Sequence, residues 1–149
     1  MGGRVWARIT LIAAFVAAVL YFQWRTAHQR VALDLFDRRL RVFEDIEQAV
    51  GAVFKSAQAT KETFRLFVEA QARARFLFGG DINDYLKQMQ KDFAWLLSFT
   101  DEVIAASEDR STLVTRKHET VARIIGFSEK APELFSRYMR MDQRGGPGF

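Results

Sequence analysis

The sequence predicts an all-α protein, an N-terminal transmembrane helix continuous with an antiparallel bundle of about four helices. Three observations lead there. Residues 9–24 form a run of sixteen residues without a charge. Beyond it, apolar residues recur at helical spacing in segment after segment, with no sustained alternation to mark a strand. Prolines are confined to Pro132 and Pro147, so little interrupts a helix before the C-terminal region. The chain then divides into an N-terminal flank (1–8), a transmembrane helix (9–24), a bundle domain (25–141) and a disordered tail (142–149).

The apolar run is short for a span. At about 1.5 Å per residue it covers roughly 24 Å, against a hydrocarbon core of about 30 Å. Its flanks close the gap. Trp6, Tyr21 and Trp24 fall where amphipathic rings sit at headgroup depth, and Arg8 and Arg25 can extend their guanidinium groups outward. A cleaved signal peptide would need small residues after the run, but Tyr21, Phe22, Gln23, Trp24 and Arg25 follow it. A helix lying flat on the membrane would need a polar face that the run lacks. Ala13 with Ala17, and Ala14 with Ala18, give the small-xxx-small spacing of membrane helix pairs, a pattern that alanine-rich spans also produce by chance.

Arg25, Arg30, Arg38, Arg39 and Arg41 follow the run, whereas Arg4 and Arg8 precede it. The positive-inside rule therefore places the C-terminal domain in the cytoplasm, with the chain crossing the cell (inner) membrane once. The absence of cysteine excludes disulfides but does not fix the compartment. Without Arg4 and Arg8, 20 cations face 18 acids, interspersed along the chain, so the domain beyond the span is close to neutral. Such interspersed charge marks solvated helix faces rather than a polyanion-binding patch, and no nucleic-acid partner is expected.

No breaker separates Trp24 from Phe54, so the membrane helix should continue into the first bundle helix. Leu33, Phe36, Leu40, Phe43, Ile46, Val50, Val53 and Phe54 give that helix its apolar stripe. A turn follows near Ala57, with Thr60 as N-cap of a second helix extending to about Phe78. Gly79 and Gly80 read as a helix stop in which glycine adopts the left-handed conformation, and Asp81 as the cap of a third helix. The third stripe includes Ile82, Leu86, Met89, Phe93, Leu96 and Ile104, which extends that helix to about Ser107. A polar connection leads into a fourth helix carrying Leu113, Val121, Ile124 and Phe127. Pro132 then suits the first turn of a short last helix.

Two segments carry a family resemblance. Residues 33–39, Leu-Asp-Leu-Phe-Asp-Arg-Arg, follow the span, and residues 74–79, Ala-Arg-Phe-Leu-Phe-Gly, precede Asp81, Ile82, Tyr85 and Leu86. Together they resemble a family of small uncharacterised bacterial single-pass membrane proteins. The resemblance covers most of the chain and implies an N-terminal span, a helical domain and a bacterial membrane setting, but no activity. On the residues themselves, packing the first two helices antiparallel could pair Asp34 or Asp37 with Arg73 or Arg75 and fix the hairpin register. Solvated charges on separate helices are the competing reading.

Signs of chemistry are sparse. His28 and His118 are far apart, no Glu has a His three residues on, and no phosphate-binding glycine loop or nucleophile elbow occurs. Glu44, Asp45 and Glu47 read as a solvated face, and the phenylalanine stripes as core rather than a ligand pocket. No cofactor, no metal and no enzymatic activity are expected. The leading expectation is a membrane-anchored interaction or accessory module, with the lipid bilayer and an unknown protein partner or a second copy as its contacts. The alternative is a membrane-tethered enzyme or small-ligand binder with a pocket inside the bundle.

Overall fold

The computed structural model describes residues 3–140, and the expected tail, 142–149, lies outside the described residues. The protein is all-helical, in the order α1 (Gly3–Ser56), α2 (Lys61–Leu77), α3 (Gly80–Ser98), α4 (Asp101–Ala106), α5 (Arg110–Ile125) and α6 (Phe127–Met139). It divides into two units, the first ending at Phe36 and the second beginning at Asp37.

The first unit is the N-terminal part of α1. Among the described residues it holds the one helix long and apolar enough to cross a membrane, and none of that apolar stretch is buried. Its polar side chains are satisfied locally. The Thr10 hydroxyl donates to the Trp6 carbonyl at 2.9 Å, and the Thr26 hydroxyl to the Phe22 carbonyl at 2.8 Å. Returning a hydroxyl to the preceding turn satisfies its donor within the helix. Tyr21 and Trp24 lie one turn apart with ring centroids separated by 6.4 Å.

In the second unit, α1 from Asp37 onward presents Val42, Ile46, Ala49, Val50 and Val53 to the core. The buried face is displaced from the expected stripe: Phe54 is exposed and Phe43 only half-buried. Leu33 is exposed as well, in the first unit. The two faces differ because several apolar positions on α1 outnumber what one bundle-facing side can accept. Aromatic rings fill much of the interior. Phe43, Phe127 and Phe135 form a triangle with centroids 5.3 to 5.9 Å apart, and Phe67 stacks on Phe93 at 4.6 Å. Phe67, Phe93, Phe127 and Phe135 are fully buried, so these four rings belong to the core. Helix α3 lies between α2 and α5.

The helix ends show how the sequence punctuates the fold. Ala57 closes α1 at φ 51° while its N–H donates to the Val53 carbonyl, a left-handed closure at a residue other than glycine. Thr60 caps α2 as expected, its hydroxyl accepting from the Thr63 N–H at 3.1 Å. The expected glycine stop differs in mechanism. Neither Gly79 nor Gly80 is left-handed; α2 closes at extended Phe78, Gly79 is the N-cap residue of α3, and Gly80 is already helical. Asp81 is therefore in the first turn of α3 rather than its cap.

Two further boundaries depart from the sequence reading. The third helix breaks at Phe99 and Thr100, and α4 restarts at Asp101 with Glu102 beside it, acids that complement the positive end of a helix. Helix α6 begins directly after Gly126, so Pro132 lies inside it rather than in its first turn. Pro132 is exposed, so its ring is not packed in the core.

Candidate functional site

The bundle carries two polar networks, a groove of mixed character and an arginine-rich end, all within the second unit. The most connected network centres on Arg39. Its Nε donates to the Leu77 carbonyl at 2.9 Å, and one terminal nitrogen donates to the Tyr138 carbonyl at 2.7 Å. These are last-turn carbonyls of α2 and α6, groups that no helical N–H satisfies. The guanidinium also lies 5.9 Å from the Phe78 ring centroid and 5.6 Å from that of Tyr138. Desolvation holds its pKa below the usual arginine value, while Tyr138 opposes that shift. Arg39 thus ties α1 to two helix C-termini.

Tyr138 continues the network. Its hydroxyl donates to Asp81 at 2.7 Å, and Arg137 approaches the same carboxylate at 3.5 Å. The tyrosine hydrogen bond lowers the Asp81 pKa, and burial followed by that bond raises the Tyr138 pKa. Gly79 is adjacent: a Cβ there would overlap the Tyr138 hydroxyl. The glycine is needed for close approach of a side chain rather than for backbone freedom. Asn83 secures the turn by donating from its amide to the Phe78 carbonyl at 3.2 Å.

The second network joins α3 to α5. Buried Asp92 accepts from Arg123 through both oxygens, at 3.1 and 2.8 Å, and Arg123 also donates to the Thr120 hydroxyl at 3.1 Å. The bond to Asp92 raises the Arg123 pKa. Nearby, Arg116 stands 5.0 Å over the Trp95 ring, which stacks on Phe99 at 4.6 Å. Together these contacts pin helices against one another. Asp101, in the first turn of α4, binds Lys117 and accepts from the Gln58 amide at 2.6 Å; the Lys117 bond lowers its pKa.

The residues expected to pair across the first hairpin are only partly brought together. Arg73 does bridge to α1, but through Asp45 at 2.5 Å, two turns beyond Asp37. Asp37 and Arg75 are exposed, without an ion pair to each other among the described residues. Asp34 belongs to the first unit, where its side chain is exposed. Trp6, Arg8, Tyr21, Trp24 and Arg25 are all exposed on α1. His118 is exposed on α5.

Sequence reasoning passed over Arg39, Asp92 and Phe76. Asp92 could have been found, since it falls three residues after Met89 and one before Phe93, on the apolar stripe of α3. Arg39 likewise precedes Val42 and Ile46 by one and two helical turns. A charge on a buried stripe signals a partner from another element. Phe76 carries no such signal, because an aromatic residue in an amphipathic helix is ordinarily core.

Three surfaces remain open. Glu44, Glu47, Gln48, Val50, Gly51 and Phe54 on α1, with Ile125 and Ser128, line a groove of about 560 Å³. Its apolar lining includes Phe54, which is 68% exposed. A second cleft, lined by Arg38, Arg41, Val42, Arg73, Phe76 and Leu77, encloses about 370 Å³. A polar groove on the surface of α5 runs from Ser111 to Arg123. No group of three or more metal-ligating side chains comes together among the described residues.

Fold and surfaces together define an all-helical protein with a bundle following a helix apolar and long enough to cross a membrane. Comparison with known proteins finds no matching family model, no matching curated protein and no matching solved structure.

Proposed function

We propose that the protein is a single-pass, membrane-anchored accessory module whose bundle binds a protein partner beside the membrane. The observation that carries this reading is Phe54, 68% exposed and lining a groove together with Glu44 and Glu47. Exposure of a large ring in a concave, acid-bordered setting suits an amphipathic helix with an apolar face and basic flanks. Anchoring contributes by raising the local concentration of the module relative to membrane partners. The excess of arginine after the span supports a cytoplasmic bundle at the cell (inner) membrane. The resemblance of the two sequence segments to small bacterial membrane proteins supports the same setting. A membrane-tethered enzyme or small-ligand binder is the alternative, and the polar groove on α5 is the surface it would draw on.

The test places a photo-crosslinking amino acid at position 54 of the full chain in membranes. A discrete crosslinked protein that disappears in a Glu44→Lys, Glu47→Lys variant supports the reading. Crosslinking only to lipid, or a pattern indifferent to those charge reversals, contradicts it.

A further inference from the structure

We propose that the bundle end formed by the α2–α3 turn docks on an anionic phospholipid surface, with Phe76 entering the interface and arginines gripping headgroup phosphates. Phe76 is 88% exposed, the most exposed of the large apolar side chains described. It shares a cleft of about 370 Å³ with Arg38, Arg41 and Arg73. Arg75 precedes it on α2 and is exposed. The C-terminal end of α6 reaches the same place, because Arg39 bonds Tyr138 and Tyr138 bonds Asp81. It adds Arg137 and the exposed Arg140.

The acids at this end are largely engaged. Asp45 holds Arg73, and Asp81 accepts from Tyr138 and faces Arg137. Asp37 is exposed and opposes the surrounding cations. Arg41, Arg75 and Arg140 have no ion pair among the described residues, which leaves a net positive surface around one exposed ring. The named cations in this cluster are all arginine. A planar guanidinium can take two phosphate oxygens at once, whereas an ammonium offers a point charge. An aromatic side chain among interfacial arginines is the composition of a surface that enters the headgroup region. Anionic lipid attracts each such cation, and the tether keeps the group close to that surface.

Arg38 follows Trp24 by fourteen residues, at most about 21 Å of helix, so a bundle tethered there stays within reach of the lipid surface.

The inference rests on the membrane-anchor reading, and the experiment separates the two. The chain has no cysteine, and a side chain at Gly80 would meet no atom within 4 Å. Gly80→Cys in the full chain is labelled with a polarity-sensitive fluorophore. The protein is reconstituted in phosphatidylcholine vesicles, with or without about one-third phosphatidylglycerol. The expected result is blue-shifted emission and severalfold weaker quenching by acrylamide in the anionic vesicles. Phe76→Ser and the pair Arg41→Gln, Arg75→Gln should each abolish that protection, with helicity and thermal midpoint retained as the folding control. Equal quenching in both vesicles, or protection that survives these substitutions, overturns the docking while the anchor stands. A chain that floats with neither vesicle overturns the anchor and the tethered docking together.

Discussion

The hydroxyl of Tyr138 occupies the space where a Cβ on Gly79 would stand, and the same hydroxyl is bonded to Asp81. One small residue thus admits the side chain that joins α6 to the start of α3. Gly79→Ala should cost about 1–3 kcal/mol by urea unfolding, because Tyr138 must give up its position. Gly80→Ala, where the added methyl meets open space, should be neutral or stabilise by up to about 1 kcal/mol. Combining Gly79→Ala with Tyr138→Phe should cost less than the sum of the two single changes, since each disturbs the same contact. Additive costs would separate the two residues.

The Tyr138–Asp81 bond also predicts a pH dependence. Asp81 is held below its ordinary pKa, so its contribution is complete above the unfolded carboxylate range and fades as pH falls through the lowered folded value. Tyr138 is held above its ordinary pKa, so its contribution is complete below the unfolded value and fades as pH rises through the folded one. The stability gap between the protein and its Tyr138→Phe variant should therefore be flat near neutrality. It should amount to about 1 kcal/mol, reduced by the partial exposure of both groups. It should narrow below about pH 4 and above about pH 10. Thermal melts across pH check this directly.

Arg39 satisfies two carbonyls from one planar fork. Arg39→Lys retains the charge but not the fork, and should cost about 1–2 kcal/mol. Arg39→Met leaves both last-turn carbonyls without this donor and should cost about 3 kcal/mol. Hydrogen exchange should show the loss at the C-terminal turns of α2 and α6 before the rest of the bundle. Uniform loss across the bundle would argue against a local clamp.

The features legible in the sequence were those set by local chemistry. Apolar spacing located the helices, and Thr60 announced the start of α2 because its hydroxyl can replace a missing acceptor. Less legible were features set by tertiary contact. The Phe99–Thr100 break has no glycine or proline to mark it; it coincides with Phe99 turning to stack on Trp95. Gly79 looked like a left-handed helix stop, yet the left-handed residue is Ala57 and Gly79 serves Tyr138. Asp45 rather than Asp37 meets Arg73 because the hairpin register is set by the core, which one helix's charge pattern does not reveal. Arg39 and Asp92 fall in line with apolar positions, but their partners lie on other helices that neither segment's own pattern identifies.

The anchor is the foundation of the functional reading, and sidedness of labelling tests it most directly. Single cysteines at Gly3 and Gly80 suit this cysteine-free chain, since neither position crowds an added side chain. In sealed inner-membrane vesicles of known orientation, a membrane-impermeant maleimide should reach position 80 only from the cytoplasmic face and position 3 only from the opposite face. The protein should also resist alkaline extraction. Labelling of both positions from the same face, or release of the protein by alkali, would contradict a single-pass anchor.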